Sequence, residues 1–550
     1  MSTGYARWKR YVLPLILFGL LLVFVVHPTL SVLIKSFSVD GRPGLGSYAS
    51  VFTERRFSSA VWGSLLVASG VSVCSTFLGL ILSLTVIRTR LPLRRLFAFC
   101  AVLPMIIPGF VSTLAYIFLF GRNGLITYKL LSLSWDIYSW KSVLVIQTLD
   151  FTAIGFLMIS AVLVGVDGRV EEAARSLGSS ELEVLFTVTL PLIRPGLVGA
   201  LLLTFLRSVA DFGTPLILGG KFDTLASASY TQLIGMYNME MAATLNAVLL
   251  AFCMIVFFLY TRTQMSAERV RTAAPGAERK ALALPKAIEA QIWIIGFVFS
   301  LFVLSLLFSV FLAAFTRHLG GDFALTLEHF RILPQRGWNS TINTLIFATA
   351  TSVVMSLLGL ITAYLVTRLR FKGRAVLDLL ATLPFAIPGT LMGLGFALAF
   401  GRPPLLLTGG WVIVIAVTVV RELPLGLRAG VSVMSQQDRA VEEASESLGA
   451  ARITTFFTVV MPLARPALVI SALYAFVSTV QTVGAIIFVI NPRNKVLSVD
   501  VFEAIYRSDI GDAAALSMLM VILAALGVGA IFLLYRRGGA PPWIRRVIVR

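Results

Sequence analysis

Apolar residues fill one long stretch after another along this chain, and polar residues gather in the segments between them. A helix needs roughly 20 apolar residues to cross the hydrocarbon core of a bilayer. Stretches near that length or longer lie at 11–33, 60–87, 96–120, 143–166, 196–218 and 244–261, then at 292–315, 342–367, 375–400, 411–433, 467–490 and 513–535. None alternates apolar and polar positions as a barrel strand does, so the pattern predicts twelve transmembrane helices. Arg7, Lys9 and Arg10 precede the first stretch and no small-residue cleavage signature accompanies it, which predicts a retained span. The tenth stretch is interrupted by Arg421, Glu422 and Pro424. Polar groups at that depth usually face a bundle interior or a water-filled cavity.

Composition supports the pattern. Only 13% of the 550 residues are charged, against about 25% in an ordinary globular protein, and the mean hydropathy is +0.90. Lys and Arg number 46 against 27 Asp and Glu. With the N-terminus placed inside, 28 of the 46 fall in inside segments and 15 in outside segments, while Arg207, Arg421 and Arg428 lie within spans. The positive-inside rule then puts both termini in the cytoplasm. Cys74, Cys100 and Cys253 each sit in an apolar run, which excludes a disulfide framework, and the three histidines form no HExxH. There is no GxxxxGK[ST] loop, so any ATP that drives this protein is bound by another chain.

The chain is internally duplicated. EEAARSLGSSELEVLFTVTLPLIRP at 171–195 recurs as EEASESLGAARITTFFTVVMPLARP at 442–466, with 13 of 25 positions identical at an offset of 271. GLILSLTVIRTR at 79–90 matches GLITAYLVTRLR at 359–370 at an offset of 280. Pro104, Pro108 and Gly109 match Pro384, Pro388 and Gly389 at the same offset. Six spans in the same order in each half read as parallel repeats. The predicted organisation is a six-span domain at 1–261, a cytoplasmic linker at 262–290 and a second six-span domain at 291–550.

Within the longer repeat, Glu171 to Leu177 suits a short helix, Gly178 permits a tight turn, and a second helical stretch runs from Glu181 until Pro191 and Pro195. This makes an elbow on the cytoplasmic face. An elbow that merely orients two spans is the simpler alternative. Two copies kept alike while the surrounding spans diverge favour identical surfaces that meet identical partners.

Glu172-Ala173-Ala174, Gly178 and Val188-x-Leu190-Pro191 resemble the EAA signature, EAA-x3-G-x9-I-x-LP, of membrane subunits of bacterial binding-protein-dependent ABC importers. Glu443-Ala444-Ser445, Gly449 and Val459-x-Met461-Pro462 fit it with Ser for the final Ala and Met for Leu. The resemblance covers about residues 60–535. It implies an all-α membrane protein with the type I ABC importer transmembrane fold in two fused six-span repeats, a non-catalytic subunit of the inner membrane. It implies two copies of a cytoplasmic ABC ATPase, which would bind ATP and Mg, and an extracytoplasmic solute-binding protein. This chain would hold no cofactor and no metal. The coupling residues implied are Glu171, Glu172, Ala173, Ala174, Gly178 and Pro191, with Glu442, Glu443, Ala444, Ser445, Gly449 and Pro462 in the second copy.

The fused twelve-span layout resembles the ferric-iron branch of that family, which also holds thiamine, polyamine and 2-aminoethylphosphonate permeases. Asp211-Phe212-Gly213-Thr214-Pro215 followed by Gly219-Gly220-Lys221-Phe222 is similar to iron-type members. An ion-coupled secondary transporter is the competing class, and it would need no elbows.

Arg207 lies about 17 Å into the fifth span at 1.5 Å per residue, and Asp211 follows one turn later on the same predicted face. They read either as an ion pair that shapes the bundle or as groups that line or gate a passage. Their second-half equivalents are Ser478 and Thr482, so this charge is not duplicated. Arg421 and Glu422 pose the same question. Adjacent helical residues point about 100° apart, which favours partners on other helices over a direct pair. Arg536, Arg537, Arg545, Arg546 and Arg550 suit anionic lipid at the inner surface better than nucleic acid.

Overall fold

The computed structural model describes residues 2–133, 136–270, 285–318, 322–403 and 405–536. The middle of the predicted linker, 271–284, and the tail arginines Arg537, Arg545, Arg546 and Arg550 lie outside the described residues.

Helices occupy every one of the apolar stretches. Among the described residues, nine helices are long and apolar enough to cross a membrane, and two bent pairs bring the number to at most eleven. The helix Trp411–Met434, with its Arg421, Glu422 and Arg428, stands outside that count.

The stretches at 96–120 and 375–400 are not the continuous helices the apolar pattern predicts. The first divides into the helix Arg94–Val102, a tight turn at Leu103–Met105 and the helix Gly109–Phe120. In the second, Arg374–Phe385 meets Gly389–Ala399 at 109°. Pro104 and Pro108, or Pro384 and Pro388, cannot donate to the helical ladder, and each disfavours helical backbone at the residue before it. A 71° bend between Arg452–Leu463 and Arg465–Gln481 lies just before the eleventh stretch. The helix Leu190–Ala210 ends before Asp211, well short of residue 218.

The chain forms two compact units. The described residues within 1–37, 332–501 and 519–550 make one, and those within 38–331 and 502–518 the other. The opening helix of each repeat therefore groups with the other repeat. In the first unit, a Cβ on Gly395 would meet the Pro28 carbonyl at 2.6 Å, so the opening helix packs at backbone distance. In the second, Gly296 of the helix Lys286–Phe315 lies against the Phe97 ring.

Glycine also sets the main helix crossing within each unit. Gly79 on Arg55–Arg88 faces Gly155 on Trp140–Leu163, where a Cβ would come within 2.6 Å of backbone, and Gly359 faces Gly426 identically on Trp338–Arg368 and Trp411–Met434. Small residues allow such approach where lipid supplies no hydrophobic drive between helices. A short hairpin follows each opening helix: Ser38–Val39 pairs with Arg42–Pro43, and Thr316–His318 with Asp322–Leu325.

Candidate functional site

The repeated segment folds as the expected elbow. In the first copy, Asp167 accepts a bond from the Arg169 N–H and opens the helix Gly168–Ser176. The helix closes at Gly178, whose φ of +92° lies in the left-handed region, with the Ser179 N–H donating to the Ala174 carbonyl at 3.1 Å. This is a Schellman-type termination, which glycine reaches without steric cost. Ser180 and Glu183 then cap the next helix reciprocally, at 3.3 and 2.7 Å. That helix continues through a wide turn at Leu185–Thr189 into Leu190–Ala210.

The second copy repeats the geometry. The helix Ala440–Ser447 ends at Gly449 with φ of +89°, and the Ala450 N–H donates to the Ser445 carbonyl at 3.2 Å. Ser445, which departs from the EAA pattern, exchanges a hydrogen bond of 3.1 Å with Thr455. The first copy has Ala174 and Val184 at those positions, so the second has replaced an apolar pair with a hydroxyl pair.

Each elbow is braced by an ion pair between its two helices. In the first, Arg175 donates to both carboxylate oxygens of Glu181 at 2.7 and 3.1 Å, and that carboxylate holds the guanidinium above its usual pKa. In the second the signs are exchanged, with Glu446 lying 3.4 Å from Arg452. The brace is retained while the charge on each helix is not.

Leu177 and Leu448 project from the tips, 88% and 90% exposed, with Ala173 and Ala444 exposed beside them. Val170 and Val441, and Phe186 and Phe457, are further matched exposed pairs. Glu443, Pro191 and Pro462 are exposed, and Glu172 is half-buried. Glu171 is turned inward and buried. It forms an ion pair with Arg88, the last residue of Arg55–Arg88, and accepts a hydrogen bond of 2.8 Å from Thr189. In the second elbow Glu442 lies 2.7 Å from Arg368, the last residue of Trp338–Arg368. Arg88 and Arg368 were not singled out from sequence as site residues. Their signal lay in the shorter repeat, where they occupy matching positions.

Asp211 is placed differently from expectation, and Arg421 and Glu422 only in part. Asp211 lies just beyond its helix in extended backbone, so it does not continue the helical face of Arg207. Its carboxylate accepts from Gln147 Nε2 at 2.9 Å and from the Gly213 N–H at 3.0 Å. Arg421 and Glu422 do approach one another, at 3.6 Å, and each also reaches a neighbouring helix. Ser478 donates to Glu422 at 2.6 Å, and Arg421 donates to Thr482 at 3.1 Å. These partners occupy the positions that correspond to Arg207 and Asp211 in the first repeat. Among the described residues no cluster of three His, Cys, Asp or Glu side chains could hold a metal ion.

A family model described as "Binding-protein-dependent transport system inner membrane component" matches residues 75–266 and 355–537. The chain is 30% identical over 522 residues to the ferric transport system permease protein FbpB of Actinobacillus pleuropneumoniae, covering 92% of this chain and 76% of that protein. It is 32% identical over 492 residues to the putative ferric transport system permease protein FbpB 1 of Haemophilus influenzae, covering 87% and 77%. Similarity to the molybdenum transport system permease protein ModB of Escherichia coli is 32% over 208 residues, 36% of this chain and 88% of that one.

Proposed function

This chain belongs to the family of binding-protein-dependent transport system inner membrane components, and from that premise we propose that it is the permease subunit of an ATP-driven importer of ferric iron. Its twelve spans form two fused six-span repeats at 1–261 and 291–550, joined by a cytoplasmic linker at 262–290, with both termini in the cytoplasm. Each elbow docks one of two copies of a cytoplasmic ABC ATPase, which binds ATP and Mg. An extracytoplasmic solute-binding protein delivers the solute. Glu172, Ala173, Ala174, Gly178 and Pro191, with Glu443, Ala444, Ser445, Gly449 and Pro462, belong to the docking surfaces. Glu171 and Glu442 act from behind those surfaces. Arg207, Asp211, Arg421 and Glu422 place polar groups along the route.

The duplicated elbow carries the coupling reading. Each copy presents an exposed leucine beside a left-handed glycine and stands on a polar segment, where lipid gives no reason for an apolar tip. The fused layout supports the solute: the ferric permeases match 92% and 87% of this chain, whereas the molybdenum permease, 88% of it matched, spans only 36% of this chain. The test is uptake by proteoliposomes holding this chain with its ATPase and solute-binding protein. ATP-dependent accumulation of ferric iron is expected. Accumulation of molybdate, thiamine or a polyamine in its place would contradict the assignment.

A further inference from the structure

We propose that Arg88–Glu171 and Arg368–Glu442 are transmission latches, positioning pairs that carry displacement of each elbow into the second span of its repeat. This rests on the coupling reading above and adds the residues through which the elbow acts.

Three segments meet at Glu171: the elbow helix that bears it, the end of Arg55–Arg88 through Arg88, and the re-entering chain through Thr189. The pair is sealed, with 1% and 3% of the two side chains exposed. Arg88 Nε and Nη1 have no hydrogen-bond partner among the described residues, so Glu171 is the group that compensates this buried charge. A buried charge resists separation from its partner far more than an exposed one does, and the helix end must therefore follow the elbow.

Arg368–Glu442 reproduces the link in the second repeat, with 9% and 14% exposed. Its charge approach is not aligned as a hydrogen bond, but backbone bonds reinforce it. Arg368 donates to the Gln437 carbonyl at 3.0 Å and Arg439 donates to the Arg368 carbonyl at 2.7 Å. Both latches stand behind the exposed tips, so they have no part in the docking surface itself. The helices they grip are also the ones that cross their neighbours at Gly79·Gly155 and Gly359·Gly426, where backbone contact leaves little slack.

The test places a spin label at each far helix end, on Ser59→Cys or Asn339→Cys in a chain carrying Cys74→Ser, and follows its spectrum in the assembled complex as ATP is added. Ser59 is about 44 Å from Arg88 along the helix at 1.5 Å per residue. ATP should change the spectrum at both sites. Arg88→Met should abolish the response at Ser59→Cys, and Arg368→Met that at Asn339→Cys, while the ATPase still co-purifies. Arg368→Lys should restore most of it, and so should Arg368→Glu combined with Glu442→Arg. Substrate turned over per ATP should fall about fivefold or more in the Met variants. An unchanged ATP response in Arg368→Met would overturn the proposal, as would an unmodified latch with no response at all. Loss of the ATPase together with the response would mark the pairs as structural. Failure of the ATPase to bind the unaltered chain would count instead against the coupling reading.

Discussion

At the residue scale, the two elbow glycines are required by backbone conformation and not by crowding. A Cβ on Gly178 or Gly449 would meet no atom within 4 Å, yet both residues have φ near +90°. Left-handed backbone costs an L-residue about 1–2 kcal/mol, least for asparagine. Gly178→Val with Gly449→Val should therefore weaken ATPase co-purification, while the corresponding Asn pair retains most of it. An alanine pair separates this from crowding: left-handed backbone makes Ala costlier than Asn, whereas a steric explanation makes the smaller Ala the milder change. The spacing of the EAA signature made these glycines legible, because a single residue type supplies the turn. Arg88 and Arg368 were harder to recognise. A basic residue at a cytoplasmic helix end is the ordinary signal of membrane orientation, and nothing local distinguishes an arginine in lipid headgroups from one buried against a carboxylate.

At the scale of the element, the braces argue that the angle between elbow helices matters more than the charge each one displays. Arg175–Glu181 and Glu446–Arg452 occupy matching positions with opposite polarity. Arg175→Glu alone sets like charges against each other and should lower the thermal stability of the purified chain, by about 0.5–1 kcal/mol for a partly exposed pair. Adding Glu181→Arg reproduces the second elbow's arrangement and should recover the loss. A double variant no better than the single would contradict the brace. Hydropathy located helix in each apolar stretch, but not the breaks. The apolar count passes unaltered through Pro104, Pro108, Pro384 and Pro388, where the backbone turns. It passes likewise through Asp211, where the fifth helix has already ended. That early end removed the helical spacing from which the Arg207–Asp211 face was read.

At the scale of the whole molecule, the duplication was legible and the grouping of its helices was not. Repeats at offsets of 271 and 280 define the halves, yet the opening helix of each half belongs to the compact unit formed mainly by the other. Hydropathy is silent on this, because an apolar helix face is equally satisfied by lipid and by protein. Close contacts at single small residues decide it, such as Gly395 on Pro28 and Gly296 on Phe97. The recurrence of elbow, brace and latch in both repeats leads to the central claim, that one chain provides two equivalent seats. Native mass measurement of the detergent-solubilised complex tests this most directly. The account predicts one copy of this chain with two ATPase protomers. A complex with one ATPase protomer, or one that needs two copies of this chain, would contradict it.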